Sequence, residues 1–187
     1  ERWMASSRPV HRVELDGFYM DSREVTVGQF RAFVQDSGYN YNRWNDLIES
    51  GYSPTDDHPM IYVNWYDAVA YAQWVGKRLP TEAEWEIAAR GGLVQKTFPW
   101  GDELNPGSEH MCNIWQGKFP DHNTAEDNYI GTAPVKSFLP NGYGLYNVSG
   151  NVWEWCSDWF SQSYHVQSSN HNPVGPAKGH GMVIKGG

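Results

Sequence analysis

Asn141-Gly142-Tyr143-Gly144-Leu145-Tyr146-Asn147-Val148-Ser149-Gly150-Asn151-Val152-Trp153-Glu154-Trp155 is the stretch that decides how this chain is read. It supplies one carboxylate (Glu154), amide oxygens from Asn147 and Asn151, and glycines that let backbone carbonyls turn inward. Hard oxygen donors in a flexible loop are what a Ca²⁺ site needs. The same spacing also describes an Asn-Gly turn followed by a buried tryptophan pair, and spacing alone leaves both open. A second oxygen-rich stretch runs from Asn113 to Asp127, with Glu126 adjacent. Asn147-Val148-Ser149 fits a glycosylation acceptor, but its aromatic neighbours suggest a loop that faces inward.

Outward from that segment, the composition is unusual. The 187 residues include 10 Trp, 11 Tyr and 7 Phe beside 19 Gly and 11 Pro. Large rings bury area while keeping a polar tip, so turn formers mixed with rings point to a loop-heavy core pinned by aromatics. Charged residues are only 19% and the chain is rich in rings, the reverse of a disordered composition. The net charge of −8 argues against gripping a nucleic-acid backbone, which needs a basic stripe. No run of about 18 apolar residues is present, so no membrane-spanning helix is expected. Two cysteines, Cys112 and Cys156, imply no disulfide framework; one bridge or two free thiols fit equally well.

Three helices are expected. Thr26-Val27-Gly28-Gln29 has capping-box spacing, followed by Phe30, Phe33 and Val34 on one stripe and a stop at Gly38. The next begins near Asn64 and carries Ala68, Val69, Ala72 and Val75 before Gly76. The third has Thr81-Glu82-Ala83-Glu84 as its box, Trp85, Ala88 and Ala89 facing inward, and a stop at Gly91-Gly92. Strands are expected at Val10–Leu15, by period-two alternation, and at Met60–Val63 and Ala133–Val135. From Leu93 to Pro140 little periodicity survives. Trp100, Trp115, Phe119, Tyr129 and Phe138 are spread through that stretch, so it reads as ordered loops that something must hold, and a metal ion is one means.

The other chemistry-bearing residues are weaker signals. None of the seven histidines forms a helical metal pair, and His110-Met111-Cys112 places three donors too close together to converge on one ion. No Gly-x-Ser-x-Gly, Walker loop or Cys-x-x-Cys is present. Cys156 reads as a small buried hydrophobe. Glu1-Arg2-Trp3-Met4 has no signal-peptide layout, and Met182–Gly187 reads as a strand with nothing after it to pair with.

Gly76-Lys77-Arg78-Leu79-Pro80-Thr81-Glu82-Ala83-Glu84-Trp85-Glu86, Ala89-Arg90-Gly91-Gly92, Phe98-Pro99-Trp100-Gly101, Asn113-Ile114-Trp115-Gln116-Gly117 and Asn141 through Trp155 resemble, in order, the formylglycine-generating enzymes, or sulfatase-modifying factors. The resemblance covers nearly the whole chain. It implies an α+β fold poor in regular secondary structure, a variant of the C-type lectin fold, with residues 1–187 forming a single incomplete domain. It also implies two structural calcium sites. One would use Asn113, the Ile114 carbonyl, Asp127 and the Tyr129 carbonyl; the other Asn147, the Gly150 and Val152 carbonyls, and Glu154.

The activity so implied is copper- and O₂-dependent oxidation of a cysteine, within an unfolded or nascent sulfatase segment, to Cα-formylglycine. Two thiolates hold Cu⁺ in the family, as soft ligands should, and they follow a Gly-Gly-Ser segment. Here the sequence given ends at Gly186-Gly187, and neither Cys112 nor Cys156 occupies those positions. The expectation is therefore an oxidase when full-length, no catalytic residue within these 187, and no activity from them alone. Ala72 and Ala89 stand where animal members carry cysteines, which favours a bacterial protein, cytoplasmic or exported, over one of the animal secretory pathway. Tyr39 to His58, with Tyr41, Trp44 and Tyr52, is shorter than the corresponding groove-forming region. Two other readings remain: the C-terminal domain of an iron-dependent sulfoxide synthase, and a non-catalytic calcium-stabilised binding module in which Trp44 and Tyr52 stack on a ligand.

Overall fold

The computed structural model describes residues 8–187; the expectation resting on Glu1–Met4 lies outside them. Regular structure is sparse. Four helices, α1 (Val27–Ser37), α2 (Trp44–Ser50), α3 (Trp65–Trp74) and α4 (Glu82–Arg90), precede two two-stranded antiparallel ladders. The first ladder pairs β1 (Gly117–Lys118) with β2 (His122–Asn123). The second pairs β3 (Trp153–Trp159) with β4 (Met182–Gly186), in the register Trp153 to Gly186 and Trp155 to Ile184.

Three helices start where their sequence says. The Thr26 and Thr81 hydroxyls accept from the amides of Gln29 and Glu84, and those two side chains accept in return from the cap amides. Asn64 and Asp67 make the same reciprocal pair at α3. Such caps satisfy donors that a helix start leaves orphaned, worth about 1 kcal/mol each. Gly38 and Gly91 end α1 and α4 in the left-handed region, as their sequence positions predicted.

The rings of α1 and α3 make the first apolar cluster. Phe30 is almost fully buried, set edge-on to Phe33, Tyr41 and Trp44 and stacked on Tyr71. Trp44 is therefore a core ring, whereas Tyr52 is 51% exposed. A second cluster joins Trp85, Ala88 and Ala89 of α4 to Leu145, Val148, Cys156 and Val183. Asn141 ties the two halves of the chain. Its amide nitrogen donates to the carbonyls of Ala88 and Ala89 at the end of α4, and its oxygen receives the amides of Tyr143 and Leu145.

Several local expectations fail. Val10–Leu15 contributes a single bridge, Glu14 to His171, because the segment beside it, Asn170 to Asn172, is bent and bonds the Glu14 backbone alone. Met60–Val63 and Ala133–Val135 are not strands either; each is held by isolated bonds, Met60 to the Val25 carbonyl and Val135 to that of Asp57. Met182–Gly186 is a strand, but it pairs back onto β3. The stretch from Leu93 to Pro140 is held by ring pairs, Phe98 with Trp100, Trp115 with Phe119 and Tyr129 with Phe138.

Candidate functional site

The two oxygen-rich loops meet. The Asn151 amide donates to the Asn113 carbonyl at 2.7 Å, and the Gly150 Cα lies so close that a Cβ there would sit 2.4 Å from that carbonyl oxygen. Only glycine fits such an approach, and its φ of +81° suits no other residue well. Asn147 and Asn151, at φ 52° and 65°, add two more left-handed residues to the same tight loop.

In the first loop, Asn113 and Asp127 are both buried. The Asp127 oxygens receive the amides of Ile114 (3.1 Å) and Tyr129 (3.0 Å), which fixes the carboxylate and leaves it further lone pairs. The Asn113 nitrogen donates to the Gly131 carbonyl (2.8 Å) and to Asn151 Oδ1 (3.1 Å), so its own oxygen faces elsewhere.

In the second loop, the Asn147 nitrogen donates to Glu24 Oε2 at 3.2 Å, while its oxygen is buried with no donor. A buried acceptor without a partner costs roughly 1–3 kcal/mol, and a cation would remove that cost. Glu154 accepts one hydrogen bond, from Trp85 Nε1 at 2.9 Å. Enclosure pushes its carboxyl up to about 8, opposed by that bond and reinforced by the Glu24 charge. Among the described residues the carbonyls of Ile114, Tyr129 and Gly150 accept no hydrogen bond, and that of Val152 accepts one, from Gly187. Each loop thus offers one carboxylate, one amide oxygen and two carbonyls, a donor set that fits a hard divalent ion. Among the described residues no three His, Cys, Asp or Glu side chains converge.

Beside the second loop opens a cavity of about 750 Å³ between the two apolar clusters, walled by Phe18, Met20, Tyr71, Trp85, Leu145 and Trp155. Glu24 and Glu154 both line it, and burial raises the Glu24 carboxyl too. Trp153 stands at its edge, 63% exposed, whereas Trp155 turns in to donate to the Val63 carbonyl. The tryptophans are therefore not a buried pair.

Cys112 and Cys156 are free and buried. Burial, with the Asp127 charge, pushes the Cys112 thiol up to about 11, and burial pushes Cys156 up as well. Cys112 lies near the Asp127 charge of the first loop, whereas Cys156 packs in the second apolar cluster, so the two thiols sit in different surroundings. Glycosylation at Asn147 does not fit either, since that side chain is buried against Glu24. Sequence reasoning missed Glu24, because its partners Asn147 and Asn151 lie 123 and 127 residues away and no local pattern reports so distant a contact.

A family model described as the sulfatase-modifying factor enzyme 1-like domain matches residues 1–187. A formylglycine-generating enzyme of Thermomonospora curvata is 46% identical over 221 residues, covering 96% of this chain and 73% of the relative. The match is longer than this chain, so that relative carries stretches inside it that are missing here. An inactive C-alpha-formylglycine-generating enzyme 2 of Bos taurus is 50% identical, over 81% of this chain and 63% of the relative. Among solved structures, Treponema denticola variable protein 1 superposes with a TM-score of 0.70 at 27% identity, covering 94% of this chain and 74% of that one. The sparse ladders, the capped helices and the two linked loops thus sit in a known α+β framework, and the chain belongs to the sulfatase-modifying factor family.

Proposed function

We propose that this protein acts as a formylglycine-generating oxidase, converting a cysteine in an extended sulfatase segment to Cα-formylglycine with O₂ as oxidant. We further propose that two calcium ions brace its loops, one at Asn113, Ile114, Asp127 and Tyr129, the other at Asn147, Gly150, Val152 and Glu154. The observation that carries the activity is the 46% identity to a named formylglycine-generating enzyme across 96% of the chain. The orphaned Asn147 oxygen and the unengaged carbonyls support the ions. Copper is not assigned to Cys112 or Cys156, which are both buried and sit in different surroundings. Ala72 and Ala89, where animal members carry cysteines, favour a bacterial protein, cytoplasmic or exported.

The 50% identity to an inactive relative favours a second reading, in which the sulfatase segment is bound and left unoxidised. One assay separates the two. A cysteine-containing sulfatase peptide is incubated with copper-supplemented protein expressed from the full gene, and aldehyde is read by hydrazide capture and mass spectrometry. Aldehyde establishes the oxidase. Binding without aldehyde establishes the second reading, and a peptide neither bound nor converted overturns both.

A further inference from the structure

One side chain joins the two candidate ion loops. Asn151 Oδ1 receives the Asn113 amide nitrogen at 3.1 Å, and Asn151 Nδ2 donates to Glu24 Oε1 at 2.7 Å. The other Glu24 oxygen receives the Asn147 nitrogen at 3.2 Å. The chain of contacts Asn113, Asn151, Glu24, Asn147 therefore runs without a break from a ligand of one site to a ligand of the other. The Asn151 amide itself cannot flip. Its oxygen also receives the Ala133 amide at 2.8 Å and its nitrogen also faces the Ala133 carbonyl at 3.2 Å, so exchanging the two atoms would oppose donor to donor and acceptor to acceptor.

Resting on the calcium reading above, we propose that Asn151 and Glu24 are positioning residues that orient the Asn113 and Asn147 amide oxygens toward their ions, and that through them the two sites bind calcium cooperatively. The physics is that of a shared relay in which each side-chain nitrogen is partnered. Each asparagine presents its oxygen outward only because its nitrogen is claimed inward, as the orphaned Asn147 oxygen illustrates. An ion that fixes Asn113 holds Asn151 and Glu24 in place, and the second ion then meets an Asn147 already turned toward it. Preorganisation of that kind appears as coupling between sites, commonly 5–150-fold in affinity.

The test is a calcium titration followed by calorimetry and by the melting temperature, on the parent, Glu154→Gln and Asp127→Asn. In the parent two ions bind. Under coupling, Glu154→Gln weakens the Asp127 site at least about 5-fold, and Asp127→Asn weakens the Glu154 site by the same factor, since coupling is reciprocal. Asn151→Ala then makes the two sites independent, so that Glu154→Gln in that background leaves the Asp127 site unchanged. Two ions binding with no cross-effect between Glu154→Gln and Asp127→Asn overturn the coupling and leave the calcium reading intact. A parent that binds no calcium overturns the calcium reading itself. If Asn151→Ala does not fold, the Glu154→Gln and Asp127→Asn pair still decides, because both leave Asn113, Asn151, Glu24 and Asn147 in place.

Discussion

Gly150→Ala tests whether the two loops are held together by contact. The substitution adds one methyl at φ +81°, where a Cβ would lie 2.4 Å from the Asn113 carbonyl oxygen and 3.1 Å from Ile114 Cγ2. Gly144→Ala is the matched control, with φ +80° and nothing within 4 Å of its Cβ. Both variants meet the left-handed backbone cost of about 1–2 kcal/mol. Only Gly150→Ala must also push a backbone carbonyl away, an overpacking cost of about 1–3 kcal/mol. For a chain of this size each kcal/mol lowers the melting temperature by about 2–4 °C. Gly150→Ala should therefore melt about 2–12 °C below Gly144→Ala. Circular-dichroism melts in chelator, so that no ion contributes, with urea unfolding to confirm equal slopes, supply the comparison. Equal losses in the two variants would show that the loops do not depend on this approach.

Three further outcomes are expected. Calcium at a hundred times the dissociation constant of each site should add about 2.7 kcal/mol per site, about 5–11 °C each, and Glu154→Gln should remove the gain of its own site; a melt indifferent to chelator speaks against the ions. The Arg78 fork on Glu84, at 2.7 Å on both oxygens, holds that carboxyl below its ordinary value. Its stabilisation is then present above the ordinary carboxylate pKa and lost as pH falls through the lower folded value. Arg78 is largely exposed, so Arg78→Ala should cost only about 0.5–1 kcal/mol at neutral pH and shrink to nothing in acid, and a cost that persists in acid refutes the assignment. Finally, with both thiols buried and raised, neither Cys112 nor Cys156 should react with a disulfide reagent at neutral pH until the protein is unfolded. Rapid labelling of the native protein would contradict that burial.

The helical half of the fold is legible because its signals are local. Thr26 with Gln29 and Thr81 with Glu84 lie three residues apart, and the bonds form at that range. Helix α2 is silent in the sequence because it has seven residues, one buried side chain and no side-chain cap. Strand β3 misleads for a different reason, since its alternation is inverted. Trp153 and Trp159 point outward, while Cys156 and Asp158 are buried. Asp158 is accommodated because it receives the Glu82 amide at the start of α4. At the candidate sites the motif resemblance points to Asn147 as a candidate ligand, but Glu24 was invisible, because only the folded chain brings it to Asn147 and Asn151.

That distance has a kinetic consequence. Glu24 and Asn151 are 127 positions apart, and the chain between them must be drawn into one loop before their bond can close; contacts of such separation form late. The helices, built on short-range bonds, can form before the ion loops exist. An ion at the proposed calcium sites would then have little to bind in the folding transition state, so it should leave the refolding rate nearly unchanged and slow unfolding instead. On that view the metal locks the finished fold and does not template it.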